Sequence, residues 1–384
     1  MIKRIRVANI IEEGRWGGPQ KRIASVAYAL KKHNVETVVI FPKKDSERFH
    51  EELEELDVSY KRLGLRRLGK GWKTLLLYLI FFVPELVSLS FHLRRGSYDI
   101  VHVGGGAWQI KGAIAGKLAG VPVIWHLNDT MMPRAIVLVF RLLASILADG
   151  FIVAAERVWK YYLANTKLRY FPICIIHPPV DTQIYNPASV KPDRRILGYR
   201  GPRVITVANI NPIKGLEYFI DAARIIVNQG HVCSFIVAGS VYRSQKKYFE
   251  SLKARVNELK LSGRFYFLGE VFDVPAILSA ADIFVCSSIS ESGPMTVWEA
   301  MAMAKPIVST DVGDVKKFIK DGESGFLVPP RDAKALAEKV SILIEDEKLR
   351  VKFGKLARAV AVKELDVEIC AEKHRRFYLE VLNL

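Results

Sequence analysis

Two glutamates eight residues apart, Glu291 and Glu299, stand where an apolar run gives way to a helical pattern in Ile283–Pro306, IFVCSSISESGPMTVWEAMAMAKP. The first residues read as a buried strand, and Ser292-Gly293-Pro294 punctuates the start of a helix. The first turn of such a helix presents unbonded N–H groups and the positive end of the helix dipole, which suits an anion such as a phosphate. Glu291 then lies in the loop ahead of the helix and Glu299 about two turns along it, so the two carboxylates can reach separate polar groups of one ligand. Spacing alone leaves another reading open, in which Glu291 caps the helix and Glu299 is a solvated helix residue.

Lys214 precedes Gly215 at a second helix start. An ammonium there stabilises the charge that develops on a departing diphosphate; the alternative is an ordinary surface lysine. In the N-terminal half, Gly14, Gly17 and Gly18 follow the first strand pattern and precede Pro19. A glycine loop at that point lets backbone approach a phosphate, although the spacing is not GxGxxG and a plain tight turn reads equally well.

These residues need elements to hold them. Short β-branched runs alternate with longer amphipathic stretches from end to end, the pattern of βαβ units and parallel sheets, so the class is α/β. In the first half the strands are predicted at Arg4–Ile10, Val35–Phe41, Asp99–Val103, Pro122–His126, Gly150–Ala154 and Ile173–His177, with helices such as Gln20–Lys32 and Arg134–Leu147 between them. In the second half they are predicted at Arg203–Val207, Ser234–Ala238, Arg264–Phe267, Asp282–Cys286, Pro306–Ser309 and Gly325–Val328, with a helix at Leu216–Val227. The polar, proline-bearing stretch Asp181–Pro202 interrupts both patterns and reads as a linker. Two doubly wound Rossmann-like domains follow, each with a ligand crevice at the carboxyl ends of its strands, and a cleft between the domains is the expected site.

A length of 384 residues, half of them hydrophobic and 25% charged, excludes disordered and collagen-like classes. The formal net charge of +17 points to an anionic partner: nucleic acid, a phosphorylated substrate or an acidic membrane surface. Cys174, Cys233, Cys286 and Cys370 are too widely spaced for a CxxC pair or a disulfide framework, which points to a reducing cytosol. No Ser-His-Asp order, HExxH, zinc-type Cys/His spacing or Walker A sequence is present, so hydrolase, metalloprotease and P-loop readings have no support. The basic start MIKRIRVANIIEEG lacks the apolar region of a signal peptide. The longest apolar run, Leu75–Val83, ends at Pro84 and Glu85, about half of the roughly 18 residues that span a bilayer, so no transmembrane helix is expected.

ESGPMTVWEAMA resembles the E-x7-E motif of the retaining family-4 glycosyltransferases, which have the GT-B fold, and KPIVSTDVGDVKKFIKDGESGFLVPPRD is similar to the strand, glycine loop and helix that follow it there. VITVANINPIKGLEYFIDAA resembles the opening of that family's donor domain, FIVAGS its next strand and HPPVDTQIYNP the approach to its linker, so the likeness runs essentially end to end. It implies transfer of a sugar from a nucleotide-sugar, UDP- or GDP-linked, to an acceptor hydroxyl with retention of configuration, and no metal or other cofactor. By motif position Glu299 accepts both ribose hydroxyls, Glu291 contacts the transferred sugar, and Ser292, Gly293, Met295 and Thr296 meet the diphosphate, with Lys214 beside it. Gly17 and Gly18 occupy the donor-facing loop, His126 the place of a histidine beside the reacting sugar, and Asp129 a place from which it orients the acceptor. The family usually has a Gly-Arg pair where Ala208-Asn209 stands, so one phosphate-binding cation is missing and Asn209 offers a neutral hydrogen bond instead. Retention without an enzyme nucleophile implies front-face displacement, in which the leaving phosphate helps deprotonate the acceptor.

Lys61–Lys73, KRLGLRRLGKGWK, has six basic residues and no acid, and runs into an apolar stretch closed by Arg94-Arg95. Cationic flanks around an apolar patch suit an anionic lipid surface, so residues 61–95 are a candidate peripheral membrane contact; a core helix with a solvated basic cap is the other reading. A carbohydrate or lipid-linked acceptor at the inner face of the membrane fits the first. The expected map is an acceptor-binding domain at 1–182, a linker at 183–202, a donor-binding domain at 203–362 and a C-terminal helix at 363–384 packing back on the first domain. Two alternatives stand: another GT-B nucleotide-sugar enzyme, a phosphorylase or epimerase, which leaves the E-x7-E geometry unexplained, and a basic nucleic-acid-binding protein, for which no RRM, KH or helix-turn-helix signature is present.

Overall fold

Val- and Ile-rich runs bounded by Gly, Pro and Asp become strands buried on both faces, as parallel sheets require. The computed structural model describes residues 4–69 and 71–384, and Lys70 of the basic run lies outside the described residues. The chain divides into two compact units, the first ending at Pro179 and taking back Val367–Leu384, the second Val180–Asp366.

The first unit is a seven-stranded parallel sheet in the order β3-β2-β1-β4-β5-β6-β7, from β1 (Ile5–Ile10), β2 (Val35–Pro42), β3 (Tyr60–Leu63), β4 (Ile100–Val103), β5 (Val123–Leu127), β6 (Gly150–Val153) and β7 (Ile173–Ile175). Its helices are α1 (Gly18–Leu30), α2 (Glu47–Glu55), α3 (Trp72–Arg95), α4 (Ile110–Ala119), α5 (Arg134–Leu147) and α6 (Glu156–Tyr162). Strand order reverses between β1 and β4, which makes the carboxyl ends of those two strands the ligand crevice of this unit. One sheet face packs through Ile10, Val103, Trp125 and Phe151 on α3 to α6; the other packs through Val7, Ile100, Ile124 and Ile152 on α1 and the C-terminal helix. Each such fully buried side chain contributes roughly 1.5–3 kcal/mol.

In the second unit α7 (Arg194–Leu197) lies in the stretch read as a linker. There follow β8 (Arg203–Val207), α8 (Leu216–Asn228), β9 (Ser234–Ala238), α9 (Lys246–Glu258), β10 (Phe265–Gly269), α10 (Val274–Ser279), β11 (Ile283–Cys286), α11 (Met295–Ala302), β12 (Ile307–Thr310), α12 (Val315–Phe318), β13 (Phe326–Val328), α13 (Ala333–Glu345) and α14 (Glu347–Val360). The six strands are parallel in the order β10-β9-β8-β11-β12-β13, with the switch between β8 and β11. A π-helical turn, Ala361–Leu365, leads to α15 (Val367–Val381), which belongs to the first unit and packs on α1.

Two expectations need correction. The first sheet has a seventh strand, β3, whose sequence YKRL read as part of the basic run; as an edge strand paired only with β2 it keeps Lys61 exposed and needs no apolar alternation. The helix containing Leu75–Val83 also does not stop at Pro84. A proline removes one backbone hydrogen bond, and here the turns on both sides carry the helix through it to 24 residues. By length and composition α3 is therefore long and apolar enough to cross a membrane, with a mean hydropathy of 2.0 over its most apolar window, 22% of which is buried.

Buried charge ties α3 to its own unit. Glu85, 6% exposed, receives Lys111 Nζ of α4 at 2.6 Å and pairs with Arg66. Lys111 is fully buried, also faces Glu12 at 3.5 Å, and lies 4.2 Å from the centre of the Tyr78 ring. Arg67 is bound to Glu13. Arg62 faces Glu47 at 3.6 Å, so three of the five described cations in the basic run are ion-paired.

Candidate functional site

In the second unit the candidates gather where the loops leave β8 and β11. After β8, Asn211 caps a single 3-10 turn, Pro212–Lys214, by accepting from Ile213 N at 3.1 Å. The turn ends at Gly215 with φ +59°, and a Cβ there would stand 2.3 Å from the carbonyl oxygen of Ser287, so only glycine lets this turn lie against the end of β11. The contact is closed by Ile289 N donating to the Ile213 carbonyl at 2.8 Å and Ser287 Oγ to the Lys214 carbonyl at 3.0 Å. Lys214 is thereby delivered to Glu291: Nζ donates to Oε1 at 2.6 Å, and Ser288 Oγ donates to the same oxygen at 2.8 Å. Burial works against the ammonium, but the charge and hydrogen bond of Glu291 outweigh it and hold the Lys214 pKa above the ordinary lysine value.

The same loop is braced from β12. Thr310 Oγ1 donates to the Ser288 carbonyl at 2.7 Å, and Gly313, at φ +58°, brings the next loop so close that a Cβ would meet the Ser292 carbonyl at 2.7 Å. The eight-residue α11 then starts at Met295 behind Pro294, with no side-chain cap. Met295 and Thr296 open its first turn, where a helix leaves backbone N–H groups without an intrahelical partner, and both are partly exposed, as are Ser292 and Gly293 just ahead of them. Glu299 is 3% exposed. The reading of Glu299 as a solvated helix residue therefore fails.

Asn209 is engaged with the loop after β9: its Nδ2 donates to Tyr242 Oη at 3.0 Å and its Oδ1 accepts from Ser240 N at 3.3 Å. It is a brace between two loops and brings no charge.

In the first unit Gly17 is the N-cap of α1 and Gly18 its first residue, again with no side-chain cap, while Gln20 Nε2 ties the loop by donating to the Glu13 carbonyl at 2.8 Å. Gly14 is explained by packing, since a Cβ would meet Lys44 O and Ser46 Cβ at 2.8 Å. His126 is fully enclosed in β5, with both ring nitrogens occupied: Nε2 is 2.8 Å from Arg22 Nη1 and Nδ1 is 3.0 Å from His102 Nε2. Burial above all, then Arg22 and the neighbouring histidines, push its pKa well below the ordinary histidine value, so the ring is neutral. Asp129, two residues beyond β5, accepts from Met131 N at 2.8 Å, and burial pushes its pKa up. Sequence reasoning missed Arg22, His102 and His374, which surround His126, and Tyr378, whose hydroxyl lies 2.7 Å from His102 Nδ1. The available signal was Arg22 itself, a cation one turn before Val26 on the apolar stripe of α1. Among the described residues no group of three or more His, Cys, Asp or Glu side chains is placed to hold a metal.

Two family profiles match the chain: Glycosyltransferase Family 4 over residues 16–184 and Glycosyl transferases group 1 over residues 193–360. Among curated proteins it is 25% identical over 373 residues to the N,N'-diacetylbacillosaminyl-diphospho-undecaprenol alpha-1,3-N-acetylgalactosaminyltransferase of Campylobacter jejuni, covering 92% of this chain and 93% of that protein. It is 26% identical over 319 residues to the UDP-Gal:alpha-D-GlcNAc-diphosphoundecaprenol alpha-1,3-galactosyltransferase of Escherichia coli, covering 79% and 81%. Among solved structures, HepE of Anabaena in complex with UDP and glucose superposes with a TM-score of 0.81 at 20% identity over 97% of this chain and 98% of that one. A glycosyltransferase from Rickettsia africae gives 0.82 at 18% identity, covering 99% of each chain. Both have the same two-domain fold.

Proposed function

The chain belongs to glycosyltransferase family 4 and is a nucleotide-sugar glycosyltransferase of GT-B fold, and from that premise we propose that it transfers a sugar, with retention and without a metal, from a UDP-sugar to a hydroxyl of a lipid-linked acceptor. The observation that carries the reading is the Lys214–Glu291 pair, just ahead of an uncapped helix start, with Glu299 buried further along the same helix.

In this reading the diphosphate sits on the first-turn amides of α11, with Ser292, Gly293, Met295 and Thr296 around it. Lys214 turns from Glu291 to the phosphate as charge develops on the leaving group. Glu291, released, accepts from hydroxyls of the transferred sugar, and Glu299 accepts from both ribose hydroxyls. The leaving phosphate takes the acceptor's proton. Asn209 places the loop after β9 beside the phosphates. In the first unit Gly17 and Gly18 offer backbone to the donor, and Asp129 orients the acceptor hydroxyl. His126, neutral and enclosed, acts as a positioning residue for the segment Asn128–Asp129 that follows its strand.

The relatives whose printed names carry diphospho-undecaprenol acceptors support a lipid-linked acceptor here. A membrane contact on the first unit is supported by the outer faces of two helices. Trp72, Leu79, Val83 and Val87 of α3 are each more than half exposed, as are Leu138, Leu142 and Ile146 of α5. With Glu85 held by Lys111 and Arg66, α3 lies along its own unit, so the contact is peripheral at an anionic face. The test is a panel of UDP-, GDP- and ADP-sugars read by thermal stabilisation and nucleotide release, with anomeric configuration of the product assigned by NMR and activity measured with and without a chelator. A response to UDP-sugars, a retained anomer and indifference to chelation are expected; no response to any nucleotide-sugar overturns the reading.

A further inference from the structure

Arg22 is 4% exposed, and although burial lowers its pKa to about 10 it stays charged near neutral pH, yet among the described residues no carboxylate pairs with it. Its guanidinium reaches neutral acceptors instead: Nη1 donates to Asn128 Oδ1 at 2.7 Å and lies 2.8 Å from His126 Nε2, and Nη2 lies 3.2 Å from His126 Nδ1. The groups beyond are also uncharged. His102 and His374 are held below the ordinary histidine range and the Tyr378 phenol well above its own, in each case by burial first. A buried cation without a counter-charge costs several kcal/mol, a cost that an arriving anion removes.

A second observation points the same way. Asn128 Nδ2 is buried with no hydrogen-bond partner, on the residue whose Oδ1 is taken by Arg22. A guanidinium and an amide N–H group thus stand side by side, both short of negative charge or acceptor oxygen. They lie at the carboxyl end of β5, next to the β1–β4 switch, where Gly104, Gly105 and Gly106 follow β4 without side chains, the last two at φ +90° and +102°. Donors that converge from two different side chains suit the tetrahedral oxygens of a phosphate better than the single plane of a carboxylate.

We propose that Arg22 and Asn128 form a buried oxyanion receptor in the first unit, which takes a phosphate group of the acceptor substrate. The identity of the ligand rests on the glycosyltransferase reading above; the receptor itself rests on the unpaired charge. A phosphate seated there supplies the missing counter-charge and the missing acceptor together, and makes acceptor recognition depend on the phosphate as well as on the sugar.

The experiment is isothermal titration of the full chain with inorganic pyrophosphate, after saturation with whichever nucleoside diphosphate it binds. Wild type should bind pyrophosphate, Arg22→Gln at least tenfold more weakly, and Arg22→Lys in between, with nucleotide affinity unchanged within twofold in all three. Asn128→Ala keeps the charge in place and should lose several-fold, which preserves the test should Arg22→Gln fail to fold. Geranyl diphosphate in detergent should compete with pyrophosphate, whereas geraniol should not. No pyrophosphate binding by wild type, equal affinity in Arg22→Gln, or competition by geraniol overturns the proposal. Failure to bind any nucleotide strikes the donor reading alone.

Discussion

The ammonium of Lys214 lies 2.6 Å from a carboxylate oxygen of Glu291, across 77 positions of chain, because a left-handed glycine seats one loop on the end of the other's strand. The two side chains are mostly buried, 27% and 16% exposed, and Ser288 Oγ donates to the same carboxylate oxygen. The value of the contact is to keep both side chains aimed at the end of α11.

Lys214→Ala should therefore weaken binding of a nucleoside diphosphate by roughly tenfold or more, the loss expected for one charge-assisted hydrogen bond, and leave binding of the bare nucleoside nearly unchanged. Calorimetric titration of both ligands checks this. Equal losses for the two would move Lys214 away from the phosphate.

Glu299 and Glu291 should separate by kinetics. Glu299→Ala is expected to raise the Kd of the nucleoside diphosphate, because a buried carboxylate leaves the ribose site, whereas Glu291→Ala should lower kcat by on the order of a hundredfold with nucleotide binding retained. An unchanged Kd in Glu299→Ala sinks the ribose assignment.

Much of this site was legible in the residue order. E-x7-E places two carboxylates about two turns apart, and the strand before it is apolar enough to be recognised. The lysine–glutamate contact was not legible, since it depends on Gly215 fitting under Ser287, a relation between residues far apart in sequence. The histidine cluster was hidden for a similar reason: His102, His126 and His374 come from β4, β5 and α15, and only the packing of α15 on the first unit brings them together. Local signals misled at β3, where basic residues masked an edge strand, and at Pro84, where one lost hydrogen bond did not outweigh the packing of Tyr78, Leu89 and Leu93.

That cluster sets an acid limit on stability. Burial lowers the folded-state pKa of His374 to about 4 and those of His102 and His126 well below the ordinary value of 6.5. The unfolded chain thus binds more protons than the folded one between about 4 and 6.5. Stability is complete above the unfolded value and is lost as pH falls below it, by up to about 1.4 kcal/mol per pH unit for each histidine. Thermal unfolding between pH 7.5 and pH 5 should show Tm falling with acid, and His374→Phe should flatten the fall. A wild-type Tm indifferent to this range, or a mutant slope equal to the wild-type slope, counts against the three neutral rings.

The outer faces of α3 and α5 carry the last expectation. Arg62, Arg66 and Arg67 are already bound to Glu47, Glu85 and Glu13, whereas Lys73, 5.6 Å from the Trp72 ring, and Arg95, 4.1 Å from the Phe91 ring, stand at the ends of α3 where a lipid headgroup can reach them. Each basic residue near an anionic bilayer contributes roughly 1 kcal/mol. Lys73→Gln and Arg95→Gln should each weaken sedimentation with acidic vesicles by about fivefold. Leu79→Glu or Val83→Glu, which put a charge on the apolar face, should abolish it without altering nucleotide affinity, because both side chains are more than half exposed on the outer face of α3 and neither is a donor-site candidate. Binding should also fall with added salt, since exposed charges are screened beyond about 10 Å at 0.1 M. If wild type ignores acidic vesicles at low salt, or if Leu79→Glu binds them as well as wild type does, the two helix faces do not meet a membrane and the acceptor must be presented to the enzyme in some other way.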